Sequence, residues 1–197
     1  MSYSFIFCLI STCTHRLCEM SKFNGTKTTK GGSENGILVF NTGPGTRHFS
    51  HDSLRQKISV HRGIDHSEKL KEMRLYKVPL VGWQLTQVVF NHQFVVIYSS
   101  SWWWSIERDI EKILLQRSKF PSVVRNYNEG FLRKFPVVEI KRGDCKGAMK
   151  NLIEFLHCKG ELKTEYDFLL NNCKTLANNV FDRFVAEGTV KRTFNVL

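Results

Sequence analysis

The sequence predicts an α+β fold in which an antiparallel sheet packs against a helix that carries a cysteine. Between Lys77 and Asp109, β-branched and aromatic residues dominate, which is typical of neighbouring strands. Two later stretches, Cys145–Cys158 and Tyr166–Val185, space their apolar residues three and four apart, as one face of a helix requires. The chain has 197 residues, of which 42% are hydrophobic, and this is enough for one domain with its own core.

The first 36 residues differ in composition from the rest of the chain. The short apolar run Phe5–Ile10 is followed by a tract rich in Lys, Thr, Gly and Ser, which cannot bury an apolar face. We therefore predict a flexible leader over residues 1–36 and a single domain over residues 37–197. The apolar run is too short for a membrane span and has no Lys or Arg before it, and its role as a targeting signal stays open.

The cysteines bear on the compartment in which the protein works. Six are present: Cys8, Cys13, Cys18, Cys145, Cys158 and Cys173. No two of them have the C-x-x-C spacing of a zinc site, and a chain this rich in apolar residues does not need a disulfide framework. We therefore expect a reducing, cytoplasmic setting. If the chain were secreted instead, Asn24 would be a glycosylation acceptor.

The elements outside the centre of the domain are predicted from shorter patterns. Ile37–Phe40 is predicted to be a strand that ends in a turn rich in Gly and Pro, and His66–Leu75 a short charged helix. Ile113–Arg117 and Phe135–Ile140 are predicted to be further strands, with a turn at Gly143 before the first amphipathic helix.

The central element of the prediction is a hairpin with its turn at Ser99–Ser101. Residues of the two strands then pair when their numbers sum to about 201. In this register one face of the hairpin carries His92, Phe94, Val96, Tyr98, Trp103, Ser105 and Glu107. A slip of one residue would move Ser105 and Glu107 to the opposite face.

Cys173 stands in the first turn of the second predicted helix, after Asn171 or Asn172 as the capping residue. The apolar face of this helix is formed by Leu176, Ala177, Val180, Phe181 and Phe184. A thiol at this position lies near unsatisfied amides and the positive end of the helix dipole, and both favour the thiolate. Cys173 is thus either a prepared nucleophile or a small buried hydrophobic residue.

A cysteine nucleophile needs a base nearby, and His92 is the candidate because a strand can hold it rigidly. Burial opposes the protonation of an imidazole, so a functional His92 needs a partner that stabilises its charged form. Glu107 or Ser105 on the neighbouring strand can orient the second ring nitrogen. The other interpretation is a core histidine whose hydrogen bonds are satisfied.

The order of a histidine strand, its return strand, further strands, a helix and then a cysteine at a helix start resembles a known family. It is similar to the circularly permuted branch of the NlpC-type papain-like thiol hydrolases, which includes lecithin–retinol acyltransferase-like proteins and PPPDE-type isopeptidases. The matching cysteine motif consists of Tyr166, Leu169, Leu170, Asn172 and Cys173. The resemblance covers roughly Pro79 to Phe184. It implies a papain-like fold and a cysteine-dependent hydrolase or acyltransferase, without a cofactor, that forms a thioester from an amide, isopeptide or ester substrate.

Carried over to this chain, the resemblance makes Cys173 the nucleophile and His92 the general base, with Glu107 and Ser105 as candidates for the third residue. The acyltransferase branch often has a histidine on the return strand, where this chain has WWS at residues 103–105. This departure leaves open a catalytically inactive binding module that recognises an acidic partner. The residues expected to contact the substrate are Trp103, Asn172 and Gln93.

The formal charge of +11 and a pI near 9.5 indicate an acidic partner. We expect a peptide, isopeptide or lipid acyl substrate, together with an acidic protein or an anionic membrane surface. Nucleic acid is not expected, because the chain lacks RNP-type, zinc-finger and helix-turn-helix signatures. His48 and His51 are spaced like metal ligands on a helix, but no third ligand accompanies them, so no metal site is predicted.

Overall fold

The computed structural model of the chain describes residues 37–42, 45–79, 91–163 and 172–193, and it has the α+β class predicted from the sequence. The strands in these ranges are β1 (Ile37–Asn41), β2 (Thr46–Ser50), β3 (Leu70–Pro79), β4 (Asn91–Ser99), β5 (Trp103–Arg108), β6 (Lys112–Ser118), β7 (Tyr127–Asn128), β8 (Phe131–Leu132), β9 (Val138–Asp144) and β10 (Lys191–Arg192). The helices are α1 (His51–Ser59), α2 (Pro121–Asn126), α3 (Met149–Cys158) and α4 (Cys173–Phe184). The predicted leader over residues 1–36 and the residues from Tyr166 to Asn171 lie outside the described part of the chain.

Eight of the described strands form one mixed sheet in the order β10-β9-β3-β4-β5-β6-β1-β2. The prediction of an antiparallel sheet is wrong for one pair, because β1 runs parallel to β6, from Ile37 opposite Lys112 to Asn41 opposite Gln116. The two strands are far apart in sequence, so no short turn imposes an antiparallel arrangement. The centre of β1, residues 38–40, is buried, as is usual where a strand of a sheet is covered on both faces.

The predicted register of the central hairpin is confirmed. Val96 lies opposite Ser105 and Ile97 opposite Trp104, so the paired residue numbers sum to the predicted value. Alternation along the strands then divides their side chains between two apolar clusters. The larger cluster contains Val95, Ile97, Trp104 and Ile106, and the smaller one contains Tyr76, Val78, Phe94, Val96 and Val124.

Two of the described helices pack on the large cluster with the faces predicted for them. The buried residues of α4 are Cys173, Leu176, Ala177, Val180, Phe181 and Phe184, and those of α3 are Met149, Leu152, Ile153 and Leu156. The helix α3 begins at Met149 and not at Cys145, because Cys145 forms a bridge with Val185 and Gly147 has a φ of 96°. A positive φ at this position ends the extended segment and is easily adopted only by glycine.

Two further predictions are corrected by the sheet. The charged stretch predicted as a helix over His66–Leu75 instead enters β3 at Leu70, because pairing with β4 on one side and β9 on the other overrides its helical pattern. The turn predicted at Gly143 is absent, since this residue lies inside β9. A Cβ atom added to Gly143 would lie 2.5 Å from Cγ1 of Val185, so the glycine permits a close approach.

In the described residues, no helix is both long and apolar enough to cross a membrane. The same residues contain no group of three or more His, Cys, Asp and Glu side chains placed to hold a metal ion. His51, one of the two histidines with metal-like spacing, stacks its ring on that of His157 at a centroid distance of 4.4 Å.

Candidate active site

His92 and Glu107, which the sequence placed on one face of the hairpin, are in direct contact. The Nε2 atom of His92 lies 2.7 Å from Oε2 of Glu107. The carboxylate side chain is 1% exposed and the imidazole 20% exposed. Since a buried carboxylate accepts hydrogen bonds and cannot donate them when ionised, Nε2 is the protonated nitrogen of this pair.

Cys173 approaches the same imidazole from the start of α4. Its side chain interacts directly with that of His92, and the backbone amides of Gln93 and Lys174 help to lower the pKa of its thiol. Because Glu107 occupies Nε2, the nitrogen that faces the thiol is Nδ1. The ring of His92 thus lies between a buried thiol and a buried carboxylate, as in nucleophilic dyads and triads.

The sheet is interrupted beside these side chains. The ladder between β4 and β5 runs from Tyr98 opposite Trp103 to Val95 opposite Ile106 and goes no further towards His92. Over the same stretch β4 stays paired with β3, and β5 stays paired with β6. The backbone of Gln93, which lies in the stretch of β4 that does not pair with β5, is one of the groups that lower the pKa of the Cys173 thiol.

The position of the thiol also depends on the cap of α4. The side-chain oxygen of Asn172 accepts hydrogen bonds from the backbone amides of Lys174, at 2.9 Å, and Thr175, at 3.1 Å. This is one of the two capping residues predicted from the sequence, and the cap starts the helix at Cys173. The Cys173 amide belongs to the first turn, where helix geometry provides no intrahelical acceptor.

The electrostatics of the site favour a thiolate paired with an imidazolium. Burial alone would lower the pKa of His92, but the Cys173 thiolate and the Glu107 carboxylate outweigh it and raise this pKa to about 10. Burial alone would raise the pKa of the Cys173 thiol, but the imidazolium and the two amides outweigh it, and the pKa is lowered. Both shifts stabilise the same ion pair at neutral pH.

Arg133 keeps Glu107 ionised and was not identified from the sequence. Its Nη2 atom lies 2.8 Å and 3.1 Å from the two carboxylate oxygens, and its guanidinium carbon lies 4.1 Å from the ring centre of Phe94. Burial would raise the pKa of Glu107, but Arg133 and His92 lower it to about 2. The FLRKF stretch around Arg133 has no periodicity that distinguishes one cation from its neighbours, so no local signal could have found it.

The other predicted site residues have different surroundings. Ser105 is fully buried and accepts a hydrogen bond from Nε2 of Gln116 at 3.0 Å, so Glu107 and not Ser105 contacts His92. Trp103 lies four residues before Glu107, about 13 Å away along the strand, and the structure does not bring it to the dyad. Its indole instead faces Arg74, whose guanidinium carbon lies 5.4 Å from the ring centre.

Gln93, predicted to contact the substrate, connects two elements with its side chain. Its Nε2 atom donates to Asn91 at 3.0 Å, and its Oε1 atom accepts from Asn178 of α4 at 3.3 Å. The side chain is buried and joins β4 to the cysteine helix. The backbone of Gln93, and not its side chain, is therefore the part that helps to lower the pKa of Cys173.

The remaining described cysteines differ from Cys173. Burial, Asp144 and Glu72 raise the pKa of Cys145 to about 12, so this thiol is protonated at neutral pH, while Cys158 is exposed on α3. Only Cys173, among the described cysteines, combines a helix N-terminus, a neighbouring imidazole and a lowered pKa. Comparison of the chain with protein-family models, with curated proteins and with solved structures found no match.

Proposed function

We propose that the protein is a cysteine-dependent hydrolase or acyltransferase that acts through a thioester on an amide, isopeptide or ester substrate. One observation carries the proposal: the His92 ring lies between the Cys173 thiol and the buried Glu107 carboxylate, with pKa shifts that favour thiolate and imidazolium. The order of these residues along the chain, and a helix that begins at the cysteine, also agree with a permuted papain-like fold of the NlpC type.

In the first half of the reaction, the Cys173 thiolate attacks the carbonyl carbon of the substrate, and the electron pair of the C=O bond moves onto its oxygen. The Cys173 amide in the first helical turn is a donor for this oxyanion. When the intermediate collapses, the bond to the leaving nitrogen or oxygen breaks, and the imidazolium gives its Nδ1 proton to the leaving group. A thioester and a neutral His92 remain.

In the second half, His92 takes a proton from water or from another acyl acceptor as this nucleophile attacks the thioester carbonyl. The C–S bond breaks, the acyl group leaves on the new oxygen or nitrogen, and the thiolate–imidazolium pair is restored. Glu107 orients the ring through Nε2 and stabilises its charged form in both halves. Arg133 keeps Glu107 from taking up the proton itself.

The proposal is tested by the turnover of an activated acyl ester, such as p-nitrophenyl acetate, with the site of acylation mapped by mass spectrometry. We expect repeated turnover and a thioester on Cys173 that hydroxylamine cleaves. Cys173→Ala should abolish turnover, and His92→Gln should slow it by roughly a hundredfold or more, the usual contribution of a general acid–base. The matched control is Cys158→Ser, which removes an exposed thiol and should leave turnover unchanged.

If turnover persisted in Cys173→Ala, or if Cys173 were acylated no faster than Cys158, the enzymatic proposal would be wrong. The chain would then be a binding module on the same fold, with a basic surface for an acidic partner. Salt-sensitive binding to such a partner would be its signature.

A further inference from the structure

A small appendage after β6 carries most of the large apolar side chains that are exposed in the described residues. Of the seven large apolar side chains that are exposed in the described residues, five lie between residues 120 and 132: Phe120 (66%), Val123 (42%), Tyr127 (36%), Phe131 (78%) and Leu132 (67%). Single exposed apolar residues are normal on a protein surface, but a cluster within so short a segment indicates an interaction site. We call residues 119–134 the apolar hairpin.

The tip of the apolar hairpin exposes apolar side chains on both faces of its two-stranded sheet. Tyr127 pairs with Leu132 and Asn128 with Phe131 in a two-stranded sheet that is separate from the main one. Successive residues of a strand point to opposite faces, so Phe131 and Leu132 project in opposite directions, and both are exposed. A groove on a folded protein partner would cover one of these faces, whereas a fluid apolar medium can surround both.

The base of the apolar hairpin is firmly attached to the domain. An isolated two-stranded hairpin is marginally stable in water, so this one needs an anchor. Val124 is fully buried, and Gln116 of β6 donates to the carbonyl of Tyr127 and accepts the amide of Glu129. Arg133 adds its contacts with Glu107. The exposed tip is therefore held in place and does not need to be ordered when it binds.

The charges of the apolar hairpin are almost all positive. Lys119, Arg125 and Lys134 flank the apolar side chains, and Glu129, the one acidic residue in this segment of the sequence, forms an ion pair with Lys112. The whole chain carries a formal charge of +11. Apolar side chains surrounded by Lys and Arg are the composition that binds the interface of an anionic bilayer.

We propose that the apolar hairpin docks the protein on the surface of an anionic lipid membrane, with Phe131 and Leu132 inserted at the level of the headgroups. The flanking cations then face the lipid phosphates and carboxylates. This docking does not require the thiol chemistry. It would nevertheless bring the membrane close to the active site, because Arg133 follows Leu132 directly and contacts Glu107.

The test is co-sedimentation of the full chain with phosphatidylcholine vesicles that contain or lack phosphatidylserine. We expect binding to the phosphatidylserine vesicles, weaker binding to the neutral ones, and a loss of binding as salt is raised. The double variant Phe131→Ser/Leu132→Ser should bind roughly tenfold more weakly or worse, since about 1.4 kcal/mol of lost apolar burial is enough for a factor of ten. Alkylation of Cys173 and circular dichroism show that the variant is folded.

The matched control is Val60→Ser, which removes an apolar side chain of similar exposure (77%) at the end of α1. It should bind the vesicles like the unaltered chain, and so should Cys173→Ala, which separates docking from catalysis. Equal binding of the double variant, equal binding to neutral vesicles, or no binding at all would overturn the proposal. Loss of a concentration-dependent dimer in the double variant, without vesicle binding, would overturn it too and assign the hairpin to contacts between copies of the chain.

Discussion

The pKa of Glu107 is lowered and that of His92 is raised. The signs of these two shifts determine the pH range in which each charge stabilises the fold. The pKa of Glu107 falls from about 4.5 to about 2, so its stabilisation is present above pH 4.5 and is lost as the pH falls through about 2. The pKa of His92 rises from 6.5 to about 10, so its stabilisation is complete below pH 6.5 and is lost as the pH rises through about 10. Both contributions are complete together between about pH 4.5 and 6.5.

Arg133→Met tests the support of the catalytic carboxylate. The Arg133 side chain is 8% exposed and that of Glu107 is 1% exposed. Breaking a buried pair on one side leaves the other charge uncompensated, so we expect the free energy of unfolding to fall by about 3 kcal/mol. Because the pKa of Glu107 then rises, acid unfolding should begin at a higher pH. Urea unfolding at several pH values measures both effects.

Arg142→Met is the control for this change, because the Arg142 side chain is 46% exposed and lies 3.8 Å from Glu139. A surface pair of this kind contributes little, so its loss should change stability by less than about 1 kcal/mol. If the two variants lost stability equally and had the same acid midpoint, Arg133 would not hold the charge of Glu107.

The residues of the site could be predicted from sequence only where a pattern marks them. Cys173 was found from its place at a helix start, and His92 and Glu107 from the period-two alternation of a hairpin whose turn defines its register. Ser105 satisfies the same alternation, so the sequence could not decide which of the two contacts His92. The structure shows Ser105 hydrogen-bonded to Gln116 instead. Arg133 reaches the site through tertiary packing alone, which no spacing in the sequence encodes.

At the level of the elements, the cap of α4 joins stability to the placement of the thiol. Asn172→Ala removes the side-chain oxygen that accepts hydrogen bonds from two backbone amides, so we expect a loss of about 1 kcal/mol in the free energy of unfolding. The uncapped turn should also hold Cys173 less firmly, which should slow its alkylation.

Asn172→Ser is the matched variant, since serine caps helices nearly as well as asparagine. It should retain most of the stability and most of the thiol reactivity, as measured by thermal unfolding and by timed alkylation. Equal behaviour of the alanine and serine variants would show that the side chain of Asn172 does not cap the helix in solution.

The elements that were predicted well are those with a long and uniform pattern. The apolar faces of α3 and α4 and the strands β4, β5 and β6 follow from periodicity. The helix predicted over His66–Leu75 is wrong, because its charged residues fit a helix locally while Met73 and Leu75 belong to the core of the sheet. The end of the pairing between β4 and β5 beside His92 could not be predicted, because the alternation continues through Phe94 without interruption.

At the level of the whole molecule, the order of strands places the site at the centre of the sheet. β4 and β5 are the fourth and fifth of eight neighbouring strands, and α4 packs on both. The class of the fold followed from composition and periodicity, but the parallel pairing of β1 with β6 joins segments from distant parts of the chain. Such long-range pairings are set by tertiary contacts, which local patterns do not report.

The measurement that tests the central claim most directly is the pH dependence of alkylation by iodoacetamide, followed for each cysteine by mass spectrometry. Because its pKa is lowered, Cys173 should keep reacting at pH values below the ordinary thiol pKa of about 8.5, while Cys145 should become reactive only as the pH approaches about 12. Glu107→Gln should move the fall in the Cys173 rate to higher pH, because the imidazolium loses its carboxylate, and the surface control Glu129→Gln should not. A Cys173 thiol that titrates at or above the ordinary value, or that is indifferent to Glu107→Gln, would contradict the account.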